Sequence, residues 1–152
     1  SEKDLITIGV SYNVECCVID SMPETRIARE FQAEAPFYVW LCRYGGAGTD
    51  SSVKWNGTDL IVNCDRIWLL DKTFVEIKKG RNIFPEKLET AINGDMLKEL
   101  DGTVRTSEQD NKVNLKYIWS KCAEHQRHAD GYDYLASTLM VSRAVELSVS
   151  IG

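Results

Sequence analysis

The stretch ITIGVSYNVECCV (residues 6–18) carries an apolar side chain at every even position. Residues 139–151, LMVSRAVELSVSI, alternate in the same way, and only Arg143 breaks the apolar set. Period-two alternation is typical of a strand with one buried face. Each run is about twice the usual strand length of about 5–6 residues. We therefore predict two long strands, one towards each end of the chain.

The length of these strands bears on assembly. A strand of about 13 residues spans about 43 Å, whereas a compact domain of this size has a diameter of about 40 Å. Such a strand either bends, with Gly9 or Cys16-Cys17 as bulge sites, or continues the sheet of another subunit. Extended edge strands offer unpaired N–H and C=O groups to a neighbour. The pattern therefore favours a homo-oligomer.

Composition indicates a single domain over residues 1–152. Hydrophobic residues make up 43% and charged residues 27% of the chain, which is ordinary for a globular protein. A net charge of −5 argues against a surface that binds nucleic acid throughout. The sequence contains neither a run of about 18 apolar residues nor a signal-peptide pattern. We expect no membrane contact and no secretion by a signal peptide.

Turn and breaker residues divide the rest of the chain. Ser21 is the expected cap of a short helix that Pro36 ends, and the aromatic segment 37–44 is expected to be a strand. Asn56-Gly57 joins a hairpin. A second hairpin is predicted over residues 66–77, with its turn at Asp71-Lys72.

The following segment is predicted to contain a helix from Pro85 and a polar loop over residues 101–112. A strand over residues 113–119 and a short helix over residues 120–129 come next, with a turn at Asp130-Gly131. The predicted class is α+β with strands dominating: an antiparallel sandwich or open barrel with two or three short helices.

The five cysteines do not form a metal-binding pattern. Cys122, His125 and His128 are spaced at i, i+3 and i+6, which is not the spacing of a zinc site. Reduced thiols are the expected state, as in an intracellular protein. An exposed Cys17 would allow a disulfide between subunits.

The most specific chemical pattern is Asp65 followed by Glu76 and Lys78. On a strand, Glu76 and Lys78 face the same side, and two carboxylates together with a lysine suit Mg²⁺-assisted phosphodiester chemistry. This pattern resembles the PD-(D/E)xK nuclease motif. The resemblance implies Asp65 and Glu76 as metal ligands, Lys78 as a catalytic residue and Glu30 as the upstream acidic residue, with magnesium as cofactor and nucleic acid as substrate.

The C-terminal segment carries a second resemblance. Tyr132-Asp133-Tyr134, a turn and the alternating segment 142–149 resemble the C-terminal strand of phage tail-terminator and neck proteins, which form rings in the virion. This resemblance implies a structural subunit whose partners are copies of itself and other structural proteins.

The sequence favours the non-enzymatic role. The expected function is a structural subunit of a homo-oligomeric viral assembly, of phage tail or neck type, with no cofactor and no catalytic residue. Its location would be the virion or the cytoplasm. The Mg²⁺-dependent nuclease is the alternative, and a barrel that binds a small ligand is a third possibility.

Overall fold

The computed structural model describes most of the chain: residues 2–45, 52–84, 86–87, 105–109, 115–119 and 125–151. The chain divides into two compact units. Ser1–Asp65 and Tyr132–Gly152 form the first unit, and Arg66–Gly131 forms the second. The single domain predicted over residues 1–152 stays a prediction.

The long N-terminal strand is a wrong prediction. Helix α1 spans Glu2–Ser11, and strand β1 begins only at Cys16 and ends at Asp20. The hydroxyl groups of Thr7 and Ser11 donate hydrogen bonds to backbone carbonyls one turn earlier, 2.8 Å away in both cases. The helix thus accommodates the polar members of the alternating pattern through bonds along its own backbone.

Packing around Gly9 accounts for the helical conformation. Gly9 is buried, and a Cβ atom at this position would lie 2.5 Å from Cε1 of Phe37. Ile6 also packs against the core, while Leu5 and Ile8 remain exposed. Residues three apart share one face of a helix, so Ile6 and Gly9 turn inwards together. Tertiary packing here overrides the β-propensity of the isoleucines and valines.

A four-stranded sheet forms the centre of the first unit. Its spatial order is β1-β2-β4-β3; β1, β2 and β4 are parallel, and β3 runs antiparallel to β4. A helix connects β1 to β2, as parallel neighbours require. The elements after β1 are α2 (Thr25–Glu34), β2 (Tyr38–Tyr44), β3 (Val53–Asn56) and β4 (Ile61–Cys64).

Three predictions in this region are confirmed. A helix ends before Pro36, a strand follows within residues 37–44, and a hairpin turns at Asn56-Gly57. The Asn56 side chain closes this turn by accepting hydrogen bonds from the N–H groups of Thr58 and Asp59. Ser21, by contrast, does not cap the helix: the residue before α2 is Glu24, which makes no side-chain capping bond.

The core of the first unit lies on both sides of β2. Towards α2, the buried side chains are those of Ala28, Phe31, Val39, Leu41 and Ile61. Apart from Ala28, each of these side chains contributes about 1.5–3 kcal/mol by leaving water. On the opposite face, Trp40 meets Trp55 edge to face, with ring centroids 4.9 Å apart.

The second predicted hairpin is also wrong, because residues 66–77 are helical. Helix α3 spans Arg66–Lys78 and buries Leu69, Leu70 and Thr73. These residues fall at i, i+1 and i+4, which is the spacing of one helix face. Gly80, with φ of 67°, follows its end, as is common after helix C-termini.

The second unit also contains a two-stranded antiparallel sheet. Strand β5 (Arg105–Gln109) lies within the predicted loop 101–112, which is therefore wrong there, and β6 (Leu115–Trp119) confirms the strand predicted over residues 113–119. The Asp71 carboxylate on α3 joins the two strands: it accepts hydrogen bonds from Arg105 at 2.8 Å and from Trp119 Nε1 at 2.9 Å.

Helix α4, His125–Ile151, replaces both the turn at Asp130-Gly131 and the C-terminal strand. Gly131 lies within the helix, and a Cβ atom there would be only 2.9 Å from Cδ2 of Leu69, so glycine suits this close approach. Thr138 and Ser142 donate hydroxyl hydrogen bonds to carbonyls three and four residues earlier. As in α1, a hydroxyl residue of the alternating segment, here Ser142, is accommodated in a helix.

The mixture of helices and strands is confirmed, but the dominance of strands is not. Within the described residues, the strands form one four-stranded and one two-stranded sheet, which is neither a sandwich nor an open barrel. The predicted helix from Pro85 lies outside the described residues apart from Glu86 and Lys87. In the part of the chain that the structure describes, no helix combines the length and apolarity needed to span a membrane.

We expect Gly9→Ala to destabilise the protein. A methyl group at this position would overlap the Phe37 ring, and overpacking costs about 1–3 kcal/mol, which exceeds the gain in helix propensity of about 1 kcal/mol. The free energy of unfolding in urea measures the effect. Thr7→Ala on the exposed side of α1 serves as the control, and Phe37→Leu should reduce the cost of Gly9→Ala in a double-mutant cycle. Stabilisation by Gly9→Ala would contradict the helical packing.

Candidate functional site

Polar residues lie at the carboxyl ends of the three parallel strands of the first unit. Strand β1 ends at Asp20, β2 at Tyr44 and β4 at Cys64, which Asp65 follows directly. Because these strands are parallel, their carboxyl ends lie at one edge of the sheet. Open sheets with parallel strands bind ligands at this edge, so we take the edge around Asp20 as the candidate site.

Asp20 is held from two directions. Its Oδ1 atom accepts a hydrogen bond from the Met22 N–H at 2.9 Å, and its Oδ2 atom accepts one from the Tyr132 hydroxyl at 3.1 Å. The carboxylate is nevertheless exposed. Since an ionised carboxylate offers about four lone-pair positions, Asp20 keeps acceptor capacity for a ligand.

Two tyrosines lie beside this carboxylate. The rings of Tyr44 and Tyr132 have centroids 6.2 Å apart and are tilted by 31°. Burial is the main cause that raises the pKa of both hydroxyl groups above the ordinary tyrosine value, and the Asp20 charge adds to it. Both therefore stay protonated at neutral pH, which leaves Tyr132 able to donate to Asp20.

The cysteines of this region are unreactive. Burial raises the pKa of Cys42 and Cys64 to about 12, with smaller contributions from neighbouring acidic groups. The pKa of Cys17 is also raised to about 12, mainly by burial. Because the thiolate is the nucleophile, none of these thiols is activated at neutral pH. Cys17 is half-buried against the core rather than exposed, which removes the basis of the predicted disulfide between subunits.

Ser21 adds an unusual feature next to Asp20. Its side chain is buried, and its hydroxyl oxygen has no hydrogen-bond partner among the described residues. Buried polar atoms are normally hydrogen-bonded, so an exception calls for an explanation such as a bound water or ligand. The orphan hydroxyl is a second reason to place the candidate site at the end of β1.

The residues of the predicted nuclease motif have other surroundings. Asp65 is exposed after β4 in the first unit, whereas Glu76 and Lys78 lie on α3 in the second. Residues two apart on a helix are rotated by about 200°, so Glu76 and Lys78 do not share a face. Glu76 accepts two hydrogen bonds from Arg81, at 2.9 and 3.0 Å, and Lys78 lies over the Phe74 ring.

The last predicted site residue, Glu30, forms an ion pair with Arg26 on the exposed side of α2. The hairpin that motivated the nuclease motif is wrong, and the grouping of Asp65, Glu76 and Lys78 stays a prediction. Within the described residues, no cluster of three or more histidine, cysteine, aspartate or glutamate side chains is arranged to hold a metal ion. Cys122 lies outside them.

Neither Asp20 nor Tyr132 is among the site residues predicted from the sequence. A short apolar run ends in Asp20 and precedes a turn and a helix, which is typical of a strand followed by a helix. This run is part of the longer alternating pattern and was therefore not recognised as a separate strand. Tyr132 gives no local signal, because it lies 112 residues from Asp20 in the sequence.

No family model, curated protein or solved structure matches this chain. The resemblances to PD-(D/E)xK nucleases and to phage tail-terminator and neck proteins stay predictions from the sequence.

We expect the buried thiols to make the protein sensitive to alkali. The pKa of Cys42 and Cys64 rises from 9.0 to about 12 on folding, so the folded state retains protons that the unfolded state loses above pH 9. Their contribution to the free energy of unfolding is complete below pH 9 and is lost towards pH 12. Urea denaturation across this range should show a steeper decline for the native sequence than for the double variant Cys42→Ala, Cys64→Ala. Equal slopes would contradict the burial of these thiols.

Proposed function

We propose that this chain is a Mg²⁺-dependent nuclease whose principal metal ligand is Asp20. The observation that carries the proposal is the exposed Asp20 carboxylate, which is fixed by hydrogen bonds from Met22 and Tyr132 at the carboxyl edge of the parallel strands. The proposed nuclease uses the same Mg²⁺ chemistry as the alternative predicted from the sequence, but at Asp20 and Tyr132 instead of Asp65, Glu76 and Lys78.

The donor set at Asp20 supports magnesium bound together with a phosphate. Mg²⁺ retains several waters and is usually held by one or two carboxylates plus substrate phosphates, rather than by a cage made entirely of protein. One positioned carboxylate is compatible with such a site when substrate phosphates supply further ligands. When bound, Mg²⁺ supplies charge stabilisation to the phosphate oxygens.

The chain's own residues have distinct parts in this proposal. Asp20 binds the cation, and Tyr132 is a positioning residue, because its hydroxyl orients the carboxylate through a hydrogen bond. Burial keeps the Tyr132 hydroxyl protonated, so the orienting hydrogen bond persists over the neutral pH range. The net charge of −5 implies that contacts to nucleic acid are local.

The experiment is an assay of DNA cleavage with and without Mg²⁺. Asp20→Asn should lower the rate more than about 100-fold, because residues that only orient a ligand already account for about 10–100-fold. Tyr132→Phe should fall within that smaller range. Glu34→Gln is the matched control: it is an exposed carboxylate at the other end of α2, and the rate should not change.

A further set of variants separates this proposal from the sequence motif. Asp65→Asn, Glu76→Gln and Lys78→Ala remove the residues of the PD-(D/E)xK resemblance. If these variants abolish cleavage while Asp20→Asn retains it, the assignment to Asp20 is wrong. Absence of Mg²⁺-stimulated cleavage of single-stranded and double-stranded DNA would contradict the nuclease proposal itself.

The second candidate function is a structural subunit of a homo-oligomeric viral assembly, and one observation favours it. Leu5 and Ile8 on α1 are 56% and 54% exposed, and Tyr12, directly after the helix, is 79% exposed. Their spacing at i, i+3 and i+7 places them along one stripe, and exposed apolar patches mark interaction sites. In this proposal α1, rather than an extended strand, joins neighbouring copies. The phage tail or neck type rests on the sequence resemblance alone.

For this second function we expect an oligomer that depends on the stripe. Light scattering after size-exclusion chromatography should give a multiple of 17.2 kDa for the native sequence. The triple variant Leu5→Ser, Ile8→Ser, Tyr12→Ser should elute as a monomer, because it removes the apolar contact. Lys3→Gln with Thr7→Ser changes polar positions of the same helix and should leave the oligomer intact. A native monomer at high concentration would count against assembly through α1.

A further inference from the structure

An open pocket of about 230 Å³ lies beside β1 in the first unit. The first turns of α1, the end of β1, the connection after it and the first half of α2 form its walls. Pockets for cofactors and drug-sized ligands measure about 300–1,000 Å³. The available space is therefore suited to a single side chain rather than to a cofactor.

The chemistry of the walls is divided between an apolar interior and acidic groups. Apolar side chains from three elements line it, including those of Leu5, Ile19, Ile27 and Phe31. The charged residues of the lining are all acidic: Glu2, Asp20 and Glu24.

The pocket's acidic residues are open to a ligand. Glu24 makes no capping hydrogen bond to α2, and its side chain is exposed. Asp20 retains acceptor capacity beyond its bonds to Met22 and Tyr132. All charged groups of the lining have the same sign, so a cation in the pocket would meet only opposite charges.

We infer that this pocket binds an arginine side chain presented by a partner protein. An arginine has an aliphatic stem that lies against apolar walls while its charged end remains near polar groups. Its planar guanidinium carries five donors and can bridge two carboxylates, which the compact ammonium group of lysine does less well. Charge complementarity thus selects the occupant, and the volume limits it to one side chain.

Exposed apolar residues at the pocket support a protein partner over a free small molecule. Leu5 and Met22 line the pocket and are 56% and 62% exposed. They offer contact area to the segment that would carry the arginine. Neither the inference nor its test depends on the proposed nuclease activity.

The test uses N-acetylarginine methylamide as the probe for the side chain. Titration at low ionic strength, followed by two-dimensional NMR of the ¹⁵N-labelled chain, should shift the amide signals of Met22 and Ile27 in a saturable manner. The dissociation constant should rise at least tenfold for Glu24→Gln and should not change for Glu34→Gln at the far end of α2. Added salt should weaken binding, because exposed charges are screened.

Two analogues decide whether the guanidinium is recognised. The citrulline analogue has nearly the same shape without the charge, and the norleucine analogue retains only the apolar stem; both should bind at least tenfold more weakly. Equal binding of either analogue would overturn the inference, as would an unchanged affinity of Glu24→Gln or the absence of shifts at the pocket. Glu24→Gln should retain any Mg²⁺-dependent cleavage. A failure of the arginine-binding inference can therefore be distinguished from a failure of the nuclease proposal.

Discussion

Strand β2 is the element on which the first unit depends. It pairs in parallel with β1 along one edge and with β4 along the other, and its consecutive residues Val39, Trp40, Leu41 and Cys42 are all buried. Burial without alternation requires cover on both faces of a strand. The register that β2 imposes places Asp20 opposite Cys42, so the position of the candidate site follows from the pairing of this one strand.

The groups that β2 and α4 place beside Asp20 are polar but uncharged. Burial keeps the thiol of Cys42 and the hydroxyls of Tyr44 and Tyr132 protonated, and the negative charge of Asp20 reinforces that state in each of them. The hydroxyl of Tyr132 stabilises the carboxylate by a hydrogen bond but does not neutralise it. A carboxylate in such a setting attracts a cation, and the metal ion and the guanidinium proposed above are two forms of that attraction.

Local signals in the sequence predicted the elements that local chemistry determines. Pro36 ended a helix and Asn56-Gly57 turned a hairpin, because restricted backbone angles act within a few residues. The strands predicted from the alternating stretches were wrong. Their apolar residues fit either a helix or a strand, and contacts with residues distant in the sequence determine which of the two forms. Gly9 meets Phe37 and Gly131 meets Leu69, and neither contact is visible from spacing alone.

The site was less predictable than the fold for the same reason. Asp65, Glu76 and Lys78 form a pattern only if a strand carries the last two, and α3 carries them instead. Asp20 could have been found as the end of a short apolar strand. Its partner Tyr132 lies on α4. The alternation of residues 139–151 predicted a strand in place of this helix, so the contact between Asp20 and Tyr132 could be seen only in the folded chain.

Asp20 belongs both to the carboxyl edge and to the wall of the pocket, so the proposed metal ion and the proposed arginine side chain would be thermodynamically linked. Two cations that use one carboxylate oppose each other's binding, and the opposition is reciprocal by necessity. The factor by which a bound arginine side chain would lower the affinity for the metal ion equals the factor by which the metal ion would lower the affinity for that side chain. A docked neighbour would thereby set the magnesium concentration at which the edge becomes occupied.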